Sequence, residues 1–486
     1  MPESYRPKPG DKVVRPLRIR RFRLRRVLGV AALFSAGYGN VGSSIYYALG
    51  IVALIALGAT PVVLGIAGIL FIFTALTYAE GTAMLPEAGG SASFARHGFN
   101  DLAGFAAGWA LMLSYIVTIS ISAYTIPPYL GFFWEPFKAS PILGTLTSMG
   151  IVGFLMIINI IGIKETSFLN IGAAILDIAT QVTLVVIGFI LLFNPPVLIS
   201  RIIDNWPTTG NLVFGIALAS IAYTGIETMS QMAEETKQPE KRVPRALIMM
   251  IVAVLVIFAG ISLVSLSAMT PQELASDWAR DPVAGIAAKI PIALISNVLK
   301  PLIALLAGTI LLIATNAGLI GISRLAFSLG SHKLQPAALS RVHEKFKTPY
   351  VAIIVFGIIA LIILTPGFFA TNAFENMGAL YAFGSLLAFM FAHASILSLR
   401  IRQPELERPF RIGWNLKMWG RELPISSMIG LAATVIIWVI ILITQPYSRW
   451  VGIIWMAVGF IIYYFYRRKA NLPFFHNAKR PGGGVL

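Results

Sequence analysis

Two short stretches carry residue types foreign to the apolar runs around them. In GNVGSS (Gly39–Ser44), glycines, an asparagine and two serines interrupt the run from Val27 to Leu57. In SIAYTGIETMS (Ser220–Ser230), Thr224, Gly225 and Glu227 interrupt another. Such residues weaken a helix and expose backbone groups. In hydrocarbon each unsatisfied group costs several kcal/mol, so a break survives only where it lines a cavity or binds something. The chemistry on offer is charge recognition: a helix N-terminus presents N–H groups to an anion, and freed carbonyls take a cation. Two carboxylates also lie inside apolar runs, where ionisable groups are expensive and mark ion or substrate pathways. Glu227, beside the second break, suits ligand contact, coupling, or acceptance of hydrogen bonds from freed amides. Asp177, in KETSFLNIGAAILDIATQ, suits reversible protonation, Na⁺ ligation or plain hydrogen bonding.

Other chemistries find no residues. There is no cysteine, and His97, His332, His343, His393 and His476 show no metal-ligand spacing. No nucleophile–base pair or phosphate loop is present, which argues against an enzyme, a bound metal or a cofactor. His393, alone on an apolar helix, reads as a satisfied core residue.

The elements that must hold these residues are membrane helices. Of the 486 residues 57% are hydrophobic and only 12% charged, against about 25% charged in soluble domains. Apolar runs long enough to cross a core about 30 Å thick predict an all-α polytopic membrane protein. Twelve spans are expected, at 27–57, 61–82, 101–132, 141–162, 169–193, 209–232, 244–268, 291–325, 349–366, 373–400, 423–444 and 449–466. With both termini cytoplasmic, all but six of the 38 Lys and Arg fall on the inner side; the six are Lys138, Arg201, Arg280, Lys289, Lys300 and Arg449. The net charge of +17 is therefore a topology signal and not a nucleic-acid footprint. RPLRIRRFRLRR (Arg15–Arg26) is expected on anionic headgroups. Trp134, Trp206, Trp450 and Trp455 read as interface belts or packing. The first fourteen residues are polar and Pro-rich, with no cleavable apolar segment behind them, and with residues 480–486 they are expected to be disordered.

Breaks in spans one and six are what a transporter built from two inverted repeats of five helices requires. Ser35-x-x-Tyr38 and Ser220-x-x-Tyr223 echo each other between them. A plainer reading is that Gly37, Gly39, Gly42 and Gly225 let helices pack closely. It leaves Asn40, Ser43, Ser44 and Glu227 unexplained.

Four signatures in order resemble the amino acid–polyamine–organocation transporter superfamily: GNVGSS, LPEAGGSASFARHGF (Leu85–Phe99), AEETKQPEKRVPRAL (Ala233–Leu247) and SRLAFSLGSHKLQP (Ser323–Pro336). The resemblance covers roughly residues 27–445. It implies a LeuT-like five-plus-five inverted repeat with two additional C-terminal helices, and alternating access in the plasma membrane. The parts would be a basic segment 1–26, a transport core 27–400, a loop with helices eleven and twelve at 401–466, and a tail 467–486. It further implies that amides of Gly42, Ser43 and Ser44 take a substrate carboxylate while carbonyls near Ala222, Tyr223 and Thr224 take its ammonium, with protons or Na⁺ as coupling ion. Proton-coupled cationic amino acid transporters carry a lysine seven residues after the equivalent of Asn170; here that place is Asp177. Asn40–Tyr47 also resembles the D-A-L-S-S-V-A-Y segment of KimA-type potassium importers, and Tyr115, Thr118, Ser122, Thr224, Glu227 and Tyr381 match that group's spacing. Asn40 and Ser114 stand where those importers carry Asp, which favours a ligand bringing its own carboxylate over a bare K⁺. The implied partners are an amino acid or amine with H⁺, the alternative is a proton-coupled potassium importer, and the alternative from another class is a non-transporting sensor or scaffold.

Overall fold

The computed structural model describes residues 26, 28–162, 167–418 and 420–476, without the side chains of 167–170. The disordered ends expected above, the tail beyond His476, nearly all of the segment expected on headgroups and the side chain of Asn170 lie outside them.

Hydrocarbon leaves the backbone no partner but itself, so the apolar runs close into helices. α1 (Val30–Val41) passes through a 3₁₀ turn, Gly42–Ser44, into α2 (Ile45–Ala56). α3 (Thr60–Met84), α4 (Ser91–Gly98), α5 (Asp101–Leu130), α6 (Pro141–Ile161) and α7 (Ser167–Leu191) follow. Span six divides into α8 (Thr209–Ala219) and α9 (Glu227–Gln231). Then come α10 (Pro239–Ala268), α11 (Ala293–Ser331), α12 (Tyr350–Leu364), α13 (Ala373–Arg402), α14 (Ile425–Thr444) and α15 (Pro446–Lys469). Among the described residues eleven helical stretches are long and apolar enough to cross a membrane, against twelve expected. The difference lies at Val30–Met84, a single stretch of 55 residues. A straight helix of that length would run about 80 Å, more than twice a bilayer core. The chain is not straight there: Leu57 takes φ 43° and opens a 3₁₀ turn before α3, and α8 packs against both α2 and α3.

α5 is the centre, buried along nearly its whole length and packed against α11, α13, α6 and α12. Asn100 caps its start, accepting the Ala103 amide at 2.9 Å. α6, α7, α14 and α15 turn apolar side chains outward, among them Phe154, Ile190, Ile443 and Phe465, the surface that lipid tails would cover.

Three of the four signatures meet at one end of the bundle. The Ala88 amide donates to Glu234 at 3.0 Å, and Arg324 pairs with Glu235 at 3.0 Å. Leu28, at the foot of span one, exchanges backbone bonds with Glu235 and Lys237. Within LPEAGG, Glu87 accepts from Ser93 (2.6 Å) and faces His97 (3.2 Å). Burial pushes its carboxyl up, but His97 and Ser93 prevail and hold it at about 2. At the other end Lys138 pairs with Asp281 at 2.7 Å and Lys289 with Glu273 at 2.5 Å.

Two features were not expected from the sequence. The loop before α14 holds a short antiparallel hairpin, β1 (Asn415–Met418) and β2 (Arg421–Pro424), with Asn415 opposite Pro424, outside the all-helical membrane part. And the reading passed over Glu80, in α3. Fully buried, it takes a two-pronged bond from Arg400 of α13 (Nε–Oε1 2.7 Å, Nη2–Oε2 2.6 Å) and the Ile412 amide at 2.9 Å.

Candidate functional site

Span six breaks where its sequence weakens it. α8 ends in a 3₁₀ turn over Ser220–Tyr223, Thr224 is extended (φ −80°, ψ 157°), and Gly225 takes φ 109°. Only glycine fits there: a Cβ would be strained and would fall 2.8 Å from Cγ of Asn40. Amides that a continuous helix would give to its own carbonyls are redirected. Gly225 N–H, due to Ile221 in an α-helix, donates to Glu227 Oε2 at 3.0 Å. Thr228 N–H, due to Thr224, donates to the Gly225 carbonyl at 3.1 Å.

Span one behaves differently from the expectation. Gly42–Ser44 tightens into a 3₁₀ turn and stays right-handed, with Gly42 at φ −64°, ψ −32°. Its amides are not all released: Gly42 N–H donates to the Tyr38 carbonyl. The serines serve the backbone with their hydroxyls, both donating to the Asn40 carbonyl, Ser43 at 3.0 Å and Ser44 at 3.3 Å. Short hydroxyl side chains that bond nearby carbonyls bend a helix without opening it. Where a cradle of free amides was expected at Gly42, Ser43 and Ser44 the chain forms a closed 3₁₀ turn, with the Gly42 amide taken up.

The two weakened segments nevertheless face each other. Asn40 Nδ2 donates to Thr228 Oγ1 at 2.9 Å, and Ser44 Oγ lies 2.9 Å from Tyr47 Oη. The Gly42–Ser44 turn packs on the Ser220–Tyr223 turn and on α11, and α13 packs on α2 and the span-six turn. Tyr47, Tyr78, Tyr115 and Tyr381 are buried, as is Glu227. Asn40 Oδ1, Ser114 Oγ and Ser122 Oγ are buried without a partner, while the Tyr115 hydroxyl has that of Thr228 beside it and the Tyr381 hydroxyl those of Tyr47, Thr118 and Thr224. Native interiors leave few such atoms, and this many suits contact with a polar ligand. Tyr115, Thr118 and Ser122 share one stripe of α5 at i, i+3, i+7. Thr118 and Thr224 turn their hydroxyls back onto Ser114 and Ile221 carbonyls (2.9 and 2.8 Å). Ala222 is buried at the turn. The Tyr223 side chain points away, bonding the Leu64 carbonyl at 2.9 Å and stacking on Phe71.

Asp177 is not in this group. Buried on the other side of span one, it accepts from Tyr46 (2.6 Å), Gln181 (2.6 Å) and Tyr38 (3.0 Å). Tyr38, Gly42 and Tyr46 are spaced by four and form one helix stripe, whereas Asn40, Ser44 and Tyr47 form the opposite one. Sequence reasoning missed Tyr38, Tyr46, Tyr78 and Thr228. The spacing of two tyrosines one turn either side of the weak segment was the available signal. His393 faces Thr77 (2.9 Å) and Thr74 (3.2 Å) beneath Gly430 of α14, where a Cβ would fall 2.3 Å from its ring. Among the described residues no group of three or more His, Cys, Asp or Glu is placed to hold a metal ion.

Comparison with known proteins places this geometry in a family. The amino acid permease family model matches residues 28–465. The branched-chain amino acid permease BcaP of Bacillus subtilis (strain 168) is 26% identical over 473 residues, covering 92% of this chain and 94% of its own. The methylthioribose transporter of the same organism is 26% identical over 484 residues, with 92% and 95% covered. The low-affinity putrescine importer PlaP of Escherichia coli (strain K12) is 25% identical over 456 residues, with 91% and 93% covered. A match of that extent, with weakened membrane helices facing each other across buried polar residues, identifies the chain as a multi-pass member of the amino acid permease family, within the amino acid–polyamine–organocation superfamily of transporters and not an enzyme.

Proposed function

We propose that the protein is a secondary active transporter of the cell membrane that carries an amino acid or small amine together with protons. Its fold is taken as twelve crossings, the stretch Val30–Met84 counting twice, arranged as a LeuT-like five-plus-five repeat with α14 and α15 appended and both termini cytoplasmic. A bundle of spans one, two, six and seven would rock against spans three, four, eight and nine. The observation that carries the reading is the break at Thr224–Ile226 set against Asn40, with unpartnered polar atoms on spans one and three and the Tyr381 hydroxyl of span ten beside Thr224. The substrate would lie there, its amine on Glu227 and the carbonyls of Ala222, Tyr223 and Thr224, its remaining polar groups on Tyr47, Tyr115, Thr118, Ser122 and Tyr381. The relatives' names span branched-chain amino acids, methylthioribose and putrescine, so family alone does not choose among ligands.

A potassium ion is the second reading, favoured by Glu227 amid hydroxyl and carbonyl oxygens with no Lys or Arg among the residues named. Neutral Asn40 and Ser114 weigh against it. A thermal-shift screen of the purified protein separates the two, since a ligand that binds only the folded state stabilises it, by about 2.7 kcal/mol at a hundredfold excess over Kd. At least one amino acid or amine is expected to raise the melting temperature, and K⁺ against Na⁺ is expected to leave it unchanged. A response to K⁺ alone reverses the choice.

A further inference from the structure

Asp177 spans the weak turn of helix one. One oxygen holds Tyr38, a turn before Gly42, and the other holds Tyr46, a turn after it (3.0 and 2.6 Å). Those tyrosines are eight residues apart, about 12 Å of helix, yet both reach one carboxylate. The Tyr38 ring lies flat over Gly42, where a Cβ would fall 2.5 Å from its Cζ. The Tyr46 carbonyl is pinned from α5 by the Tyr129 hydroxyl at 2.8 Å. Opening the turn would separate the two tyrosines, so both bonds to Asp177 survive only while it stays closed.

We propose that Tyr38 and Tyr46 are positioning residues that make Asp177 a proton-released staple: ionised, it holds the Gly42–Ser44 turn shut, and protonated, it lets the turn open and offer its amides to an anionic group of the substrate. This rests on the proposed proton-coupled transport, with Asp177 taken as the group that carries the proton. All three partners of Asp177 are placed as donors, the two phenols and Gln181 Nε2 at 2.6 Å. An ionised carboxylate accepts all three as charge-assisted bonds; a protonated one loses that charge, so its bonds become neutral and weaken even where a phenol turns to accept the new O–H. A proton on Oδ1 obliges the Tyr46 hydroxyl to turn and accept, and one on Oδ2 obliges Tyr38 to turn or Gln181 to leave. Either way the staple loosens, at one tyrosine or at the glutamine that steadies the carboxylate. Because a proton and an anionic substrate group both favour the open turn, each raises the affinity for the other. The closed cradle then becomes one state of a two-state element.

The titratable groups facing Asp177 are few. Tyr38 and Tyr46 come from span one, and Tyr129 of α5 stands behind Tyr46. α7 also packs on α10 and α11. α10 has no ionisable residue beyond Arg245, and α11 has only Lys300 and Arg324, the latter paired with Glu235.

Hydrogen exchange of the full chain in lipid nanodiscs tests this without a substrate. The peptide covering Gly42–Tyr47 is followed at mildly acidic and mildly alkaline pH, each rate corrected for intrinsic exchange. In the wild type the corrected rate is expected to rise at least about fivefold on acidification, the low end of coupling factors. Tyr38→Phe, which keeps the ring over Gly42, and Tyr46→Phe are each expected to exchange fast at both pH values, as is Asp177→Asn, while α14 peptides stay unchanged. Equal wild-type protection at both pH values overturns the staple, as do tyrosine variants that retain the wild-type pH dependence. Failure of transport with every ligand would instead remove the coupling reading and leave these exchange results standing on their own.

Discussion

Replacing Arg400 with leucine is expected to be among the most damaging single changes in this chain. Glu80 is fully buried, and Arg400 meets both its oxygens at 2.6–2.7 Å. Removing one member of a buried pair leaves a bare charge and costs about 3–5 kcal/mol. Arg408, whose Nε lies 3.7 Å from Glu80 Oε1, offsets part of that. The Ile412 amide and the Glu422 carbonyl hang on the same pair, so the hairpin should loosen with it. The double change Glu80→Leu with Arg400→Leu removes both charges and should be less destabilising than Arg400→Leu alone, because the desolvation penalty disappears with the attraction. Melting curves in detergent check this. A single variant as stable as the wild type would mean that Glu80 is solvated or protonated in place.

Asp177→Asn should abolish proton-driven accumulation and spare exchange of substrate across the membrane. Asparagine stays neutral, so it can stand for the protonated state and cannot cycle. At one proton per substrate, a pH step of one unit supports about tenfold accumulation. The variant in proteoliposomes should reach about onefold, while counterflow of preloaded substrate continues. Wild-type accumulation by this variant would move the coupling role to Glu227, which also stands buried in the membrane.

What the sequence made legible followed from simple physics. Long apolar runs gave the helices, because hydrocarbon admits few other structures. Gly225 advertised the span-six break, since a left-handed residue in a buried run needs glycine. The Gly42–Ser44 segment has equally poor helix formers and did not open, because Ser43 and Ser44 could bond the Asn40 carbonyl themselves and Tyr38 and Tyr46 were tied from outside. Local composition marks weakness; tertiary partners decide whether it becomes a break. Glu80 and Arg400 escaped for a related reason. Each reads alone as an anomaly near a span end, and only the packing of α3 and α13 shows one pair. Asp177 was read correctly as buried, but its distance from Glu227 across span one depended on helix phase at the turn, which spacing suggests once the stripe through Tyr38, Gly42 and Tyr46 is drawn.

Substrate is expected at the Thr224–Ile226 break beside Asn40 and Glu227, with protons driving its entry. Uptake by proteoliposomes under an imposed inward proton gradient measures this most directly, with labelled amino acids, putrescine and methylthioribose for the wild type, Glu227→Gln and Asn40→Asp. The wild type is expected to accumulate at least one amino acid or amine only when the gradient is present. Both variants are expected to lose most of that uptake although they fold: Glu227→Gln loses the charge for the amine, and Asn40→Asp sets a carboxylate against any carboxylate of the substrate at low dielectric. Wild-type uptake by both variants, or accumulation indifferent to the proton gradient, would contradict it.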